Sequence, residues 1–245
     1  MSNLIIHCGA RAVERAEVES APTPAPTETW YPIAHAEVLG QVESALDNIG
    51  LRVVNEAHAI GRDGDRYFGL MHVDGGESHT DYNLVIGVRN SHDQSFPAGL
   101  VLGASITVCD NLSFSGAVQF SRRHTKHINR DLPALVLGAV GRIAELRVQQ
   151  DQRLEAYQAT RFTDRHAHDL LIRLVESGTL PVTRLPIAIR EYRTPSHPEF
   201  LQDGKRTAYT LLNAVTESIK GRSIELLPRR SQALHGLLDR ACHLN

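Results

Sequence analysis

The 245-residue chain has only three cysteines, two methionines and one tryptophan, and its basic residues include very little lysine. Cys8, Cys109 and Cys242 lie far apart and are odd in number, which fits neither a disulfide framework nor a C-x-x-C metal knuckle. A reducing, cytoplasmic setting is therefore expected. Of the 26 basic residues only Lys126, Lys205 and Lys220 are lysines, a bias uniform enough to reflect coding composition. No stretch approaches the roughly 20 apolar residues of a membrane span, and the start M-S-N-L-I-I-H-C-G-A lacks a basic segment followed by a long apolar one. Neither insertion in a membrane nor secretion is expected. The formal net charge of −2 excludes coating nucleic acid by bulk charge, so any such contact must come from a local patch. A phosphate-cradling loop is also missing: Gly99 to Gly103 reads G-L-V-L-G without G-K-[ST], and Gly138 to Gly141 falls inside a helical pattern.

What is present is an ordinary globular composition, 42% hydrophobic, long enough for one large core or for a domain with a helical appendage. The expected class is α+β: an antiparallel meander of about five strands with an N-terminal helix, followed by a mostly helical C-terminal region. Residues 1–33 read as a short strand at 3–8, a turn or two of charged helix over 10–18, and a strap. In the strap Pro22, Pro24 and Pro26 remove backbone donors at every second position and favour extended chain. The strap lands on Trp30, Tyr31 and Ile33, which are expected to anchor it.

Residues 34–130 read as the α+β core. Val38, Val42, Ala45, Leu46 and Ile49 recur at helical spacing before Gly50, and Asp63-Gly64 marks a hairpin between strands at 51–60 and 67–73. Further strands are expected at 82–89, 99–109 and 114–122. Residues 131–245 read as helices packed on that core: one long helix capped by Asp131 and running to about 160, one capped by Thr163 or Asp164, one over 183–192, one over 206–220 and one over 231–242 after Pro228.

Five stretches carry a resemblance that spans roughly residues 28–240. They are Trp30-Tyr31-Pro32-Ile33-Ala34-His35, Arg89-Asn90-Ser91-His92-Asp93, Cys109-Asp110-Asn111-Leu112-Ser113-Phe114-Ser115-Gly116, Arg123-His124-Thr125 and Asn213-Ala214-Val215-Thr216-Glu217. In these the chain resembles a family of uncharacterised phage- and plasmid-like proteins, the domain of unknown function 932 family. The resemblance implies a mobile-element or prophage setting and transfers no catalytic residue.

The densest candidate chemistry lies in Ser121-Arg122-Arg123-His124-Thr125-Lys126-His127. Three cations and two imidazoles beside hydroxyls suit phosphate oxygens, because affinity for nucleic acid comes largely from neutralising phosphates. The nucleic-acid-binding candidates are Arg89, Arg122, Arg123, Lys126 and His127, with Arg229 and Arg230 joining only if the fold brings them near. A second candidate is a divalent metal such as zinc or manganese on His92, Asp93, His124 and His127, with His79 and Asp81 on neighbouring segments, activating water for phosphodiester hydrolysis. Cys109 as a nucleophile is a third, set against its reading as a small buried hydrophobe. Tyr209, Asn213, Thr216 and Glu217 share one helix face, placed to pair with Arg229 and Arg230 or to face the sheet.

Three functions compete. The first is a non-enzymatic accessory protein that binds DNA or RNA, the second an interaction protein acting on a host or competing-element protein, with a host or phage protein as partner, and the third a metal-dependent nuclease or hydrolase. No cofactor beyond that metal is expected. Self-association is open to a sheet with two edges.

Overall fold

A computed structural model describes residues 10–74, 82–106, 112–113, 120–220 and 226–244. The expected strand at 3–8 and the Cys109-Asp110-Asn111 corner lie outside them.

The helix expected after the strap is α2 (His35–Asp47), preceded by the short α1 (Arg15–Ser20). Its apolar stripe, Val38, Leu39, Val42, Ala45 and Leu46, is buried. The chain stops at Gly50 because φ there is +74°, a left-handed conformation open to glycine at little cost. Leu51 N–H donates to the Leu46 carbonyl at 3.0 Å and Gly50 N–H to the Asp47 carbonyl at 3.1 Å, which satisfies the free end of the helix.

The sheet follows as β2 (Arg52–Gly61), β3 (Arg66–Asp74), β4 (Tyr82–Ser91) and β5 (Ala98–Ile106), an antiparallel meander. Arg62, Asp63 and Gly64 all adopt positive φ in the β2–β3 turn, as the Asp-Gly pair indicates. The α+β expectation holds, and the strand count is corrected. Among the described residues seven strands pair rather than about five, because β1 (Arg11–Val13) adds to β2 and β6 (Leu112–Ser113) to β5, while β7 (Phe120–Arg122), the described end of the strand expected at 114–122, also pairs with β5. The two additions are three and two residues long, too short for a period-2 pattern to register. Residues 10–18, expected as helix, divide between β1 and α1.

Side chains alternate across the pleat. Tyr67, Met71, Ile86, Val88, Leu100 and Leu102 join α2 and α3 (Ile128–Val140) in one core. Phe68, Leu70, Val85 and Val101 form a smaller cluster with Phe96 and Leu227. A second large core gathers α4 (Ile143–Ala159), α5 (Asp164–Glu176), α6 (Leu185–Arg193) and α8 (Leu227–Ala241) around α7 (Ala208–Ile219). Tyr82 and Ala104 of the sheet reach into it.

The long helix expected over 131–160 is two, because the chain turns at Gly141-Arg142. There Gly141 N–H donates to the Leu137 carbonyl at 2.9 Å and Arg142 N–H to the Ala139 carbonyl at 3.2 Å. An added Cβ at Gly141 would stand 3.2 Å from the Leu137 carbonyl oxygen, which suits this turn to glycine. Helix α3 packs in the sheet's core, and α4 starts there with Ile143 and Leu146 and reaches the helical core with Leu154 and Tyr157. His127, not Asp131, precedes the first turn of α3, and Pro228 lies inside the first turn of α8. Of the two expected candidates, Thr163 caps α5 by accepting from His166 N–H, and Asp164 is the first helical residue.

Candidate functional site

On β4 the apolar face of Ile86 and Val88 continues at the same two-residue spacing into Asn90 and, one residue past the strand's end, His92. The sheet face packed under α2 therefore turns polar at one end. Asn90 is fully buried there and uses its amide completely. Its Nδ2 donates to the Ile33 carbonyl at 2.9 Å and to His35 Nδ1 at 2.9 Å, and its Oδ1 accepts from His124 Nε2 at 2.7 Å. His92 Nε2 donates to the same Ile33 carbonyl at 2.8 Å, and His35 Nε2 donates to the Gly64 carbonyl at 2.8 Å.

These partners fix the tautomers: each of the three rings carries its proton on Nε2, and His35 Nδ1 must accept. His35 and His92 stack with centroids 3.9 Å apart and planes 7° apart. Tyr67 stacks on the His35 side at 5.3 Å, and its hydroxyl hydrogen-bonds His58 Nδ1 over 2.9 Å. Burial pushes His35 and His124 down to about 4, so both are neutral near pH 7. Burial likewise raises the Tyr67 hydroxyl above the ordinary phenol range. Two polar atoms here, His92 Nδ1 and Trp30 Nε1, are buried without a hydrogen-bond partner among the described residues.

The network holds the strap. Ile33, 1% exposed, sits between two donors to its carbonyl, and Tyr31 N–H donates to the His124 carbonyl at 2.9 Å. Trp30 then meets His124 edge-on, with centroids 6.4 Å apart and planes at 71°. Outside the network, Trp30 and Phe96 line one cleft of about 390 Å³ together with Arg123, His124, Thr29 and Thr125. The β4–β5 loop supplies Phe96. Ser91 Oγ donates to its carbonyl at 2.6 Å, and Asp93 holds the turn by accepting from Ser95 N–H at 3.0 Å. Phe96 packs on Phe68 at 5.1 Å, and the Arg89 and Arg66 guanidinium groups stand 5.5 and 6.0 Å from its ring centre.

The basic candidates divide. Arg123 and Lys126 are exposed and make no ion pair among the described residues. Arg122 is held by Asp131 at 2.7 Å, sharing that carboxylate with Arg130 at 2.8 Å. Arg89 lies beside Phe96, and His127 is exposed at the start of α3. Arg229 and Arg230 belong to the first turn of α8, outside the residues that line the cleft.

The metal candidates do not form one set. His92 and His124 spend Nε2 on Ile33 and Asn90, and Asp93 is tied to Arg66 at 2.8 Å. No group of three or more His, Cys, Asp or Glu side chains among the described residues is arranged to hold a metal ion. His79, Asp81 and Cys109 lie outside those residues. The α7 polar face is internal: Asn213 donates to the Tyr209 carbonyl and Thr216 to the Leu212 carbonyl, both from buried positions.

Sequence reasoning singles out the Arg89–Asp93 corner and the strap separately and misses their union through Asn90. The available signal is the polar continuation of the Ile86, Val88 face. Phe96 reads as plain loop, and its sign is an aromatic set between an arginine corner and a proline.

The first, second and fourth resembling stretches thus meet at one place on an α+β protein defined by a strap pinned to a meander sheet. The chain belongs to the family described as Domain of unknown function (DUF932), which matches residues 25–241. No curated protein and no solved structure matches it.

Proposed function

We propose that the protein is a nucleic-acid-binding accessory protein, without catalysis of its own, that engages phosphates at the rim around Arg123 and Lys126. The observation that supports this reading is the pair of exposed cations without carboxylate partners among the described residues, beside a cleft with two aromatic walls. Arg89 adds positive charge beside Phe96, whereas Arg66 is held by Asp93. Arg122 is a weaker contributor while Asp131 holds it. The phage or plasmid setting and the cytoplasmic location belong to the same proposal. A metal-dependent hydrolase would require His92, Asp93, His124 and His127 to converge, and the hydrogen bonds of the first three lead elsewhere.

Fluorescence anisotropy with labelled DNA and RNA at low salt tests the reading. Micromolar binding is expected. Arg123→Ala with Lys126→Ala should weaken it and lower the slope of log K against log salt by roughly 0.7 to 0.9 for each phosphate no longer neutralised. Asp131→Asn should tighten binding by freeing Arg122. Absence of binding, or affinity indifferent to the double substitution, would remove the proposal.

A further inference from the structure

We infer that the cleft between Trp30 and Phe96 is a receptor for one unpaired base of a nucleic-acid strand, and hence that the protein prefers single strands to duplex. The inference rests on the nucleic-acid reading and adds a ligand chemistry to it. Three observations carry it.

The cleft has a volume of about 390 Å³, inside the roughly 300–1,000 Å³ range of small-ligand sites. Its aromatic members are held from behind. Trp30 lies against the edge of His124, which is itself locked by Asn90, and Phe96 lies on Phe68. Rings fixed in this way lose little freedom when a flat partner stacks on them. The third observation is the division of polar groups. Arg123 stands where a phosphate attached to the bound base would be neutralised, and Thr29, Gln94 and Thr125 line the same cleft with donors and acceptors suited to base edges. A paired base has its edge occupied by its complement and both faces covered by its neighbours, so only an unpaired base can enter.

Trp30 is the only tryptophan in the chain, so its emission reports on this cleft alone. The test titrates the full chain with an unstructured oligodeoxythymidine, the matching duplex and a thymidine mononucleotide, following Trp30 emission and, in parallel, anisotropy of the labelled strands. The single strand is expected to quench Trp30. The duplex should bind without quenching, and the mononucleotide should quench only at far higher concentration. Phe96→Ala should weaken quenching by the single strand about tenfold, in keeping with base–aromatic stacking. Phe96→Leu, which keeps an apolar side chain against Phe68, should weaken it likewise and so separates stacking from folding.

Anisotropy that depends on Arg123 and Lys126 without any quenching would overturn the base receptor and leave the phosphate reading standing. Equal quenching by duplex, or an unchanged response in Phe96→Leu, would overturn it too. A mononucleotide that binds as tightly as the strand would overturn the strand as the source of the base. Loss of all binding in both channels would remove both proposals together.

Discussion

Asn90→Leu puts the weight of the site on one side chain. Leucine has the same branched heavy-atom frame as asparagine, so the change largely keeps the shape and removes the amide. Three hydrogen bonds disappear, to the Ile33 carbonyl, His35 and His124. At about 1 kcal/mol net for each, their loss costs roughly 3 kcal/mol. The Ile33 carbonyl keeps His92 as a donor, but His35 Nδ1 and the His124 Nε2 proton become orphans inside the protein. Each of the two orphaned buried groups adds about 1–3 kcal/mol, so a total of roughly 5 kcal/mol or more is expected. Set against the roughly 5–15 kcal/mol typical of folded domains, that is a large fraction.

The loss should also be local before it is global. Asn90, His92 and the His124 backbone are what tie residues 31–33 to the sheet, so the variant's strap should detach at lower urea than the cores unfold. Trp30 emission should therefore shift to the red ahead of the far-ultraviolet circular dichroism transition in the variant, while the two coincide in the wild type. A loss under about 1 kcal/mol, the net worth of a single hydrogen bond, or coincident transitions in the variant, would refute the assignment of the strap's anchorage to this network.

Two further outcomes follow from the same packing. His35 and His124 titrate at about 4 when folded and near 6.5 when unfolded, so between those values the unfolded chain binds more protons and stability falls as pH falls. The full contribution is present above about pH 6.5 and the slope approaches roughly 1.4 kcal/mol per pH unit per imidazole below it. His124→Gln, which keeps a donor for Asn90 without a proton to gain, should flatten the slope; urea midpoints equal at about pH 7.5 and about pH 5 would contradict the neutral network. Gly69→Ala drives a Cβ into the Tyr67 hydroxyl and forces that buried ring off His58. Thermal unfolding should show a loss of roughly 1 to 3 kcal/mol, partly restored by Tyr67→Phe in the same chain, and a melting curve unchanged from wild type would show that the ring has room to move.

The parts of the fold that are legible in the sequence are those where one local rule decides. The stripe ending at Gly50, the Asp63-Gly64 turn, the four long strands and the Thr163 cap each depend on residues within a few positions of one another. The split of α3 from α4 is hidden because apolar residues continue through the break at helical spacing. Both sides of the break pack into the sheet's core, Val136 and Val140 before it and Ile143 and Leu146 after it, so the apolar pattern carries no mark of the turn.

The site divides on the same ground. Its cationic rim is visible because Arg122 to His127 are neighbours in sequence, although the neutralisation of Arg122 requires α3 to place Asp131 against it. The histidine network is visible only as fragments, since His35 and Asn90 are separated by 55 positions and Asn90 and His124 by 34, and they meet through tertiary packing. Even so, a polar pair appended to a buried strand face is a conflict between local pattern and burial. Such a conflict persists only where partners from elsewhere satisfy it, so Asn90 and His92 announce a meeting point without naming who will arrive.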